Sequence, residues 1–425
     1  SDEEHMDAAA LAAARSDTPV ARFRRRLIDA GIATDAALKE LEATIRKEID
    51  AASDYARKAP APEAAELYTD VFADTASIPD HVIATATPRA AGQYQPQSER
   101  MMTFGQAVNE ALAIALEADK NVFLLGEDIA DPAGGVVKTT YGLSTRFGRD
   151  RVRPTPIAEQ AIVGAAIGAA MAGMKPVAEI MINDFLMVCM DQVSNHAAKL
   201  RYMSGGKTSV PLVIRTLTAG FVGSFGAQHS QSLEAWLAHT PGIKIVYPST
   251  PAEAKGLLLS AIDDPDPVVF FESMRAYFAP GPVPEGDYRI PLGQADVKRR
   301  GKDLTIITYG WTVGEALAAA ETLAKEGVDA EVLDLRTIVP LDVAAILESV
   351  GRTKRAIVLH AATEFGGFGG EVASIIHSRL HGQLAAPVAR VGARYTPVPF
   401  AAGLESLHFP QANRVIDAAR AMLAR

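Results

Sequence analysis

The sequence predicts an α/β protein: two regions of buried parallel sheet flanked by helices, with a helical segment in front of them. Three observations predict it. Between Met101 and about Pro280, short apolar runs alternate with helical patterns, as expected of βαβ units whose strands are covered on both faces. After an acidic, proline-rich joint from Gly281 to Pro291, the same alternation resumes on a smaller scale. Ahead of both, residues 16 to 74 read as helical, with Leu38, Leu41, Ile45 and Ile49 forming one stripe.

In chain order, Ser16 or Asp17 is a candidate cap and Pro19 suits a first turn. The first helix covers Val20 to Asp29 and stops at Gly31, and Thr34 or Asp35 caps the second. Alone, this is an amphipathic pair in need of a partner surface. Residues 1 to 74 therefore read as a helical tail. Residues 75 to 100, with prolines, Ala, Thr, Gln and Ser but little hydrophobic periodicity, read as a linker. The first α/β region covers 101 to 285. Its candidate strands are Val122 to Leu125, Lys175 to Ile180, Pro211 to Arg215, Ile243 to Tyr247 and Pro267 to Phe271. The second covers 286 to 425, with strands from Leu304, Asp329 and Arg355 and a helix from Val313 to Glu326.

With 425 residues the chain is long enough for two or three cores, and its net charge of −9 is spread along it. That mixture argues against a nucleic-acid surface. One cysteine, Cys189, in an apolar run, reads as a core residue. It allows no internal disulfide and no cysteine-based zinc site, which fits a reducing compartment and a cytoplasmic protein. The longest apolar run, Ala161 to Met174, is too short to span a membrane. Its small residues Gly164, Gly168 and Ala172 suit close helix–helix contact inside a protein. The opening residues, Ser1-Asp-Glu-Glu-His, read as the interior of a larger polypeptide, processed or trimmed.

The most informative stretch runs from Thr155 to Gly173. Pro156 suits the start of a helix, and Glu159 precedes fourteen small or apolar positions. So apolar a helix should be buried, which puts the carboxylate at the mouth of a core. A buried carboxylate is costly unless hydrogen-bonded, and that cost often marks a working group. The alternative is a first-turn acid that only favours the helix dipole. Position alone leaves both open.

Met102-Thr-Phe-Gly-Gln-Ala-Val-Asn-Glu-Ala-Leu, Val122-Phe-Leu-Leu-Gly-Glu-Asp, Thr155-Pro-Ile-Ala-Glu, Asp191-Gln-Val-Ser-Asn-His-Ala-Ala-Lys, Tyr202-Met-Ser-Gly-Gly, Ala227-Gln-His-Ser-Gln-Ser and Pro241-Gly-Ile-Lys-Ile-Val follow one another in order. From Met101 onward the sequence resembles the β subunit of the thiamine diphosphate-dependent decarboxylating component of 2-oxo acid dehydrogenase complexes. Asp17-Thr-Pro-Val-Ala-Arg-Phe-Arg, Lys47-Glu-Ile-Asp-Ala-Ala and Glu66-Leu-Tyr-Thr-Asp-Val-Phe-Ala resemble the C-terminal tail of the α subunit. The chain is thus expected to be the downstream part of an α–β fusion. The implied fold is a pyrimidine-type thiamine diphosphate-binding domain followed by a C-terminal transketolase-like domain.

The resemblance implies that the cofactor is held between two subunits. An α-type partner grips the diphosphate through Mg²⁺ with a Gly-Asp-Gly motif, which this chain lacks. Glu159 is expected to hydrogen-bond the aminopyrimidine ring and so promote proton removal from the thiazolium carbon. That carbon attacks the keto carbon of a 2-oxo acid and takes up electrons as carbon dioxide leaves. Phe185 is expected to stack on the pyrimidine, with Met181 and Ile157 lining the same slot. His229 is expected in the active site as a proton donor, oriented by Gln228 and Ser230, whereas His196 reads as structural. Backbone carbonyls of Leu212, Ala261, Ile262, Asp264 and Asp266 suit a potassium ion, although a turn stabilised by Pro and Asp explains the same residues. The glycine-rich run Gly366 to Gly370 lacks the spacing of a nucleotide site and is expected to belong to a domain supporting dimer contacts.

The expected assembly is an α2β2 heterotetramer docked on a lipoyl acyltransferase core. Pyruvate is the first substrate expected. A branched 2-oxo acid, acetoin, or a non-catalytic assembly or regulatory role are the alternatives.

Overall fold

A computed structural model describes residues 9, 12, 15–61, 63, 66, 69–73, 98–223 and 225–424. The chain divides into two compact units, Ser1–Leu67 and Tyr68–Arg425. The opening five residues, and the expected linker as far as residue 97, lie outside the described residues.

In the first unit, helices span Pro19–Asp29 and Asp35–Lys58. Thr18, rather than Ser16 or Asp17, caps the first, its side chain accepting from the Ala21 N–H; Thr34 caps the second. Arg24 ties the helices together by pairing with Asp35 at 2.7 Å and with Glu42. Neither helix buries a residue, and Val20, Ile32, Leu41, Ile45 and Ile49 are exposed. The second helix ends at Lys58, and among the described residues beyond it those from 69 to 73 are not helical. Residues 69–73 form a turn belonging to the second unit, where Phe72 is buried in the core and the Ala73 N–H donates to Asp266.

Among its described residues the second unit holds three sheets. A short antiparallel pair joins β1 (Met101–Thr103) to β8 (Pro280–Pro282). The large sheet contains β2 (Val122–Glu127), β3 (Val152–Thr155), β4 (Lys175–Ile182), β5 (Val213–Thr218), β6 (Lys244–Val246), β7 (Val268–Ser273) and β12 (Thr337–Val339), in the order β12-β6-β7-β5-β4-β2-β3. Its pairs are parallel except for β12, which reaches over from the later part of the chain and runs antiparallel to β6. Strands β2, β5, β6 and β7 are buried throughout, which explains their continuous apolar runs. The smaller sheet has the order β14-β13-β10-β11-β9, from β9 (Asp296–Arg299), β10 (Leu304–Thr308), β11 (Ala330–Asp334), β13 (Ala356–Thr363) and β14 (Ala389–Ala393); only β9 is antiparallel.

The apolar helix spans Glu159–Met171, so Pro156 precedes it rather than opening it, and Ala158 occupies the cap without a side-chain bond. The helix is not enclosed. Ile162, Val163, Ala166, Ile167 and Ala170 are buried, whereas Ala161, Ala165, Gly168 and Met171 face outward. Of the small-residue stripe, Gly168 and Ala172 are exposed, whereas Gly164 is half-buried against Gln192. Among the described residues no helix is long and apolar enough to cross a membrane.

Candidate active site

Strands β5, β4, β2 and β3 are neighbours in the large sheet, and the chain segments that leave their carboxyl ends carry the residues singled out by sequence. In open parallel sheets this is the edge where ligands bind. Glu127 is the last residue of β2. Glu159 opens the helix that follows β3, and Phe185 lies in the 3₁₀ turn Asn183–Cys189 that follows β4. His229 sits in the loop between β5 and the short helix Glu234–Ala238.

Glu159 is half-buried, and its helix packs against both the 3₁₀ turn and the π-helical turn Gln192–Ala197. Burial, and next the charge of Glu159, raise the Glu127 carboxyl above the ordinary value, against the pull of the Ala158 N–H. Burial together with Glu159 pushes the Cys189 thiol up to about 12, leaving it an inert core group. Two carboxyls so close that one holds back ionisation of the other suit a proton-handling pair. Glu127 lies within Gly-Glu-Asp, and no sequence motif alone assigns it a role. Its signal was an acid ending an otherwise apolar strand.

Phe185 and His229 meet edge to face, ring centroids 5.3 Å apart and planes at 82°. Met181 is half-buried at the end of β4, whereas Ile157 is 83% exposed. Gln228 is exposed and the Ser230 hydroxyl has no hydrogen-bond partner, so neither orients His229. Instead Asn183 and Asp184 bond the loop through Gln231 and Leu233. His196 is exposed and lies 3.5 Å from Asp191.

This face is unfinished. Among the described residues, Glu127 Oε1, Thr155 Oγ1, Gln192 Oε1 and Ser194 Oγ are buried without hydrogen-bond partners. Met187, Val188 and Met203 add exposed apolar surface beside them. Orphaned acceptors next to an aromatic–imidazole pair fit a heterocycle that brings its own donors.

The suggested cation loop is organised by protein groups. Leu212 carbonyl accepts from Val268 N at 2.8 Å, and Ala261 carbonyl accepts from Asp264 N at 3.3 Å. Lys244 Nζ lies 2.9 Å from Asp264 and 3.2 Å from Asp266, while Arg201 Nε donates to Asp266 at 2.8 Å. Both carboxylates are thus neutralised from within. Among the described residues no group of three or more His, Cys, Asp or Glu side chains could hold a metal ion, so a cation here would meet carbonyls.

The family described as "Transketolase, pyrimidine binding domain" matches residues 100–279, "Transketolase, C-terminal domain" matches 293–415, and "Dehydrogenase E1 component" matches 6–65. The chain is 46% identical over 331 residues to the acetoin:2,6-dichlorophenolindophenol oxidoreductase subunit beta of Cupriavidus necator, covering 76% of this chain and 97% of that protein. It is 47% identical over 323 residues to the pyruvate dehydrogenase E1 component subunit beta of Bacillus subtilis, covering 76% and 98%. The 2-oxoisovalerate dehydrogenase subunit beta of the same organism is 46% identical over 323 residues, with 75% and 98% covered. A solved structure titled "Split gene transketolase, inactive beta4 tetramer" shares the fold, with TM-score 0.63 and 23% identity over 76% of this chain and 98% of that one. The chain belongs to the family of E1 β subunits of the 2-oxo acid and acetoin dehydrogenases, and carries an N-terminal E1-component segment.

Proposed function

We propose that this E1 β-type subunit supplies the aminopyrimidine half of a thiamine diphosphate site that an α-type subunit completes. The assembled α2β2 enzyme would decarboxylate a 2-oxo acid, pyruvate first among them. It would then pass the acyl group to a lipoyl group on an acyltransferase core. One observation carries this reading. Glu127, Glu159, Phe185 and His229 converge at the carboxyl ends of four adjacent strands, on a face the chain leaves uncovered.

When bound, thiamine diphosphate supplies a nucleophilic carbon and an electron sink. Glu159 would then hydrogen-bond the pyrimidine nitrogen, with Glu127, itself reluctant to ionise, close behind it. Phe185 offers a flat wall to the ring, with Met181 and Ile157 on the apolar rim. His229 orients the substrate and delivers a proton as charge develops on its oxygen. Mg²⁺ falls to the partner, since this chain has no Gly-Asp-Gly. A potassium ion bound by the carbonyls of Leu212, Ala261, Ile262, Asp264 and Asp266 would brace the start of β7 without touching the reaction. The lone buried Cys189 supports a reducing, cytoplasmic setting. We assign residues 1–74 to the α-like tail, 75–100 to a linker, 101–285 to the pyrimidine-type domain and 286–425 to the C-terminal domain.

The test is reconstitution with an α-type subunit, thiamine diphosphate and Mg²⁺, offering pyruvate, branched 2-oxo acids and acetoin in parallel. Carbon dioxide release from pyruvate that depends on this chain is expected. Turnover of acetoin alone would move the assignment to an acetoin-cleaving enzyme. Cofactor binding without any turnover would make the chain a scaffold.

A further inference from the structure

We propose that Asp184 is a positioning residue for His229, locking the loop that carries this imidazole against the ring of Phe185; the proposal rests on the reading of Glu159, Phe185 and His229 as one active site. Asn183 and Asp184 are 0% and 4% exposed, directly after β4. Polar side chains buried so fully are costly unless they are hydrogen-bonded. Here the bonds reach well beyond the turn itself.

Asp184 Oδ1 accepts from Gln231 Nε2 at 2.8 Å and from the Gln231 backbone N–H at 3.4 Å. Asn183 Nδ2 donates to the Gln231 carbonyl at 3.0 Å, and Asn183 Oδ1 accepts from the Leu233 N–H at 3.0 Å. Asn183 Nδ2 also donates to Asp184 Oδ2 at 3.1 Å, which fixes the carboxylate plane. Gln231 is therefore gripped at its N–H, its carbonyl and its side chain. His229 lies two residues before Gln231, and Phe185 lies one residue after Asp184. The two rings that meet at 5.3 Å are thus the two ends of one hydrogen-bonded knot.

Behind the loop there is space. A cavity of about 730 Å³ is lined by Ser230, Ser232 and Leu233 on the loop side and by Ala361, Tyr395 and Phe409 opposite. The loop's far end has its own anchor, because Glu234 accepts from Ser232 Oγ at 2.6 Å and from Tyr309 Oη at 2.8 Å. Between that anchor and β5, the knot at Gln231 is what keeps the loop from relaxing into the cavity. Burial raises the Asp184 carboxyl above the ordinary value, while the Gln231 bonds and then His229 draw it back.

The experiment uses the holoenzyme reconstituted with its α-type subunit, and compares Asp184→Ala, Asp184→Asn, Gln231→Ala, the Asp184→Ala/Gln231→Ala double variant and His229→Ala. Misplacement of about 1 Å at a reacting group costs on the order of 10²-fold in rate. Asp184→Ala is expected to lower kcat about 10- to 100-fold while thiamine diphosphate affinity stays within about twofold of wild type. Asp184→Asn keeps the Oδ1 acceptor for Gln231 but turns a donor toward Asn183 Nδ2, and should restore part of that loss. Gln231→Ala should resemble Asp184→Ala, and the double variant should add little, as expected of partners in one network. Wild-type kcat in folded, assembled Asp184→Ala overturns the proposal. So do fully additive losses, or a loss that Asn fails to restore and that cofactor affinity follows. If Asp184→Ala does not fold, Gln231→Ala carries the same test. Full activity in His229→Ala would sink the active-site reading itself. An inactive His229→Ala beside an active Asp184→Ala sinks only the positioning role.

Discussion

Two polar regions of the second unit differ in one respect, which is whether the chain satisfies them by itself. At the junction of the two large sheets, Glu253 pairs with Lys298 and, at 2.6 Å, with Arg336 Nε; Asp296 lies 2.9 Å from each of those two cations. Ser249 Oγ donates to Asp334 at 2.6 Å, and the Arg336 N–H donates to it at 3.0 Å. Three carboxylates face two cations, one negative charge too many. Burial first, and Glu253 second, push Asp334 up to about 7, so that a proton covers the excess. At the carboxyl ends of β2 to β5, by contrast, Glu127, Thr155, Gln192 and Ser194 keep oxygens without partners. The junction's charges are answered from within the chain, even where Asp296 Oδ2 and Arg336 Nη2 meet as an ion pair rather than as a hydrogen bond. The other face is half of a structure, and its unmet bonds mark where a second molecule belongs.

The sharpest way to break this contrast is Glu159→Gln. Turnover of the reconstituted enzyme should fall about 10²- to 10⁴-fold, the usual worth of positioned proton transfer. The urea midpoint of the chain should stay near wild type, because Glu159 is only half-buried. Wild-type turnover would refute the assignment. Arg336→Leu should do the reverse: it strands buried carboxylates and costs roughly 3–5 kcal/mol of stability in urea denaturation. A cost below about 1 kcal/mol would mean that the network contributes little.

A third measurement sharpens the junction side. Asp334 has a folded pKa above its ordinary 3.8, so its contribution to stability is fully present below 3.8 and is lost as pH rises through about 7. Asp334→Asn should therefore gain on wild type as pH rises from about 5 to about 8. A pH-independent gap between the two would contradict the shift. The smallest effect is expected at Gly168, where an added Cβ would meet nothing within 4 Å. Gly168→Ala should stabilise the isolated chain by about 0.5–1 kcal/mol through helix propensity. It should weaken reconstitution with the α-type subunit, because the exposed small-residue stripe loses its flatness. Unimpaired assembly, checked by sedimentation, would remove that stripe from the interface.

Much of the fold was legible because buried parallel strands announce themselves as apolar runs. Val122, Lys175, Leu304 and Val268 each begin a strand within a few residues of where the pattern placed it. The misses share a cause. Val152–Thr155 is a four-residue edge strand with Arg153 and Pro154 exposed, so it carries neither a run nor an alternation. Thr337–Val339 has only three residues and pairs with β6 some ninety residues back along the chain, so nothing local marks it as a strand. Pro156 promised a helix start that arrives at Glu159. At the site, Glu159, Phe185 and His229 were found by resemblance. Asn183, Asp184 and Gln231 were not given roles, since a hydrogen bond spanning 47 residues leaves no periodicity to read.

The antiparallel strand Thr337–Val339 covers the open side of β6 with backbone from the later half of the chain. Cutting the molecule at the apparent joint near Gly281 would therefore not yield two clean modules. The earlier piece would be left with a bare row of N–H and C=O groups, a template on which like pieces could stack. The chain's modularity in sequence is thus not a modularity in solubility, and any attempt to shuffle these halves must carry that three-residue patch across with the first.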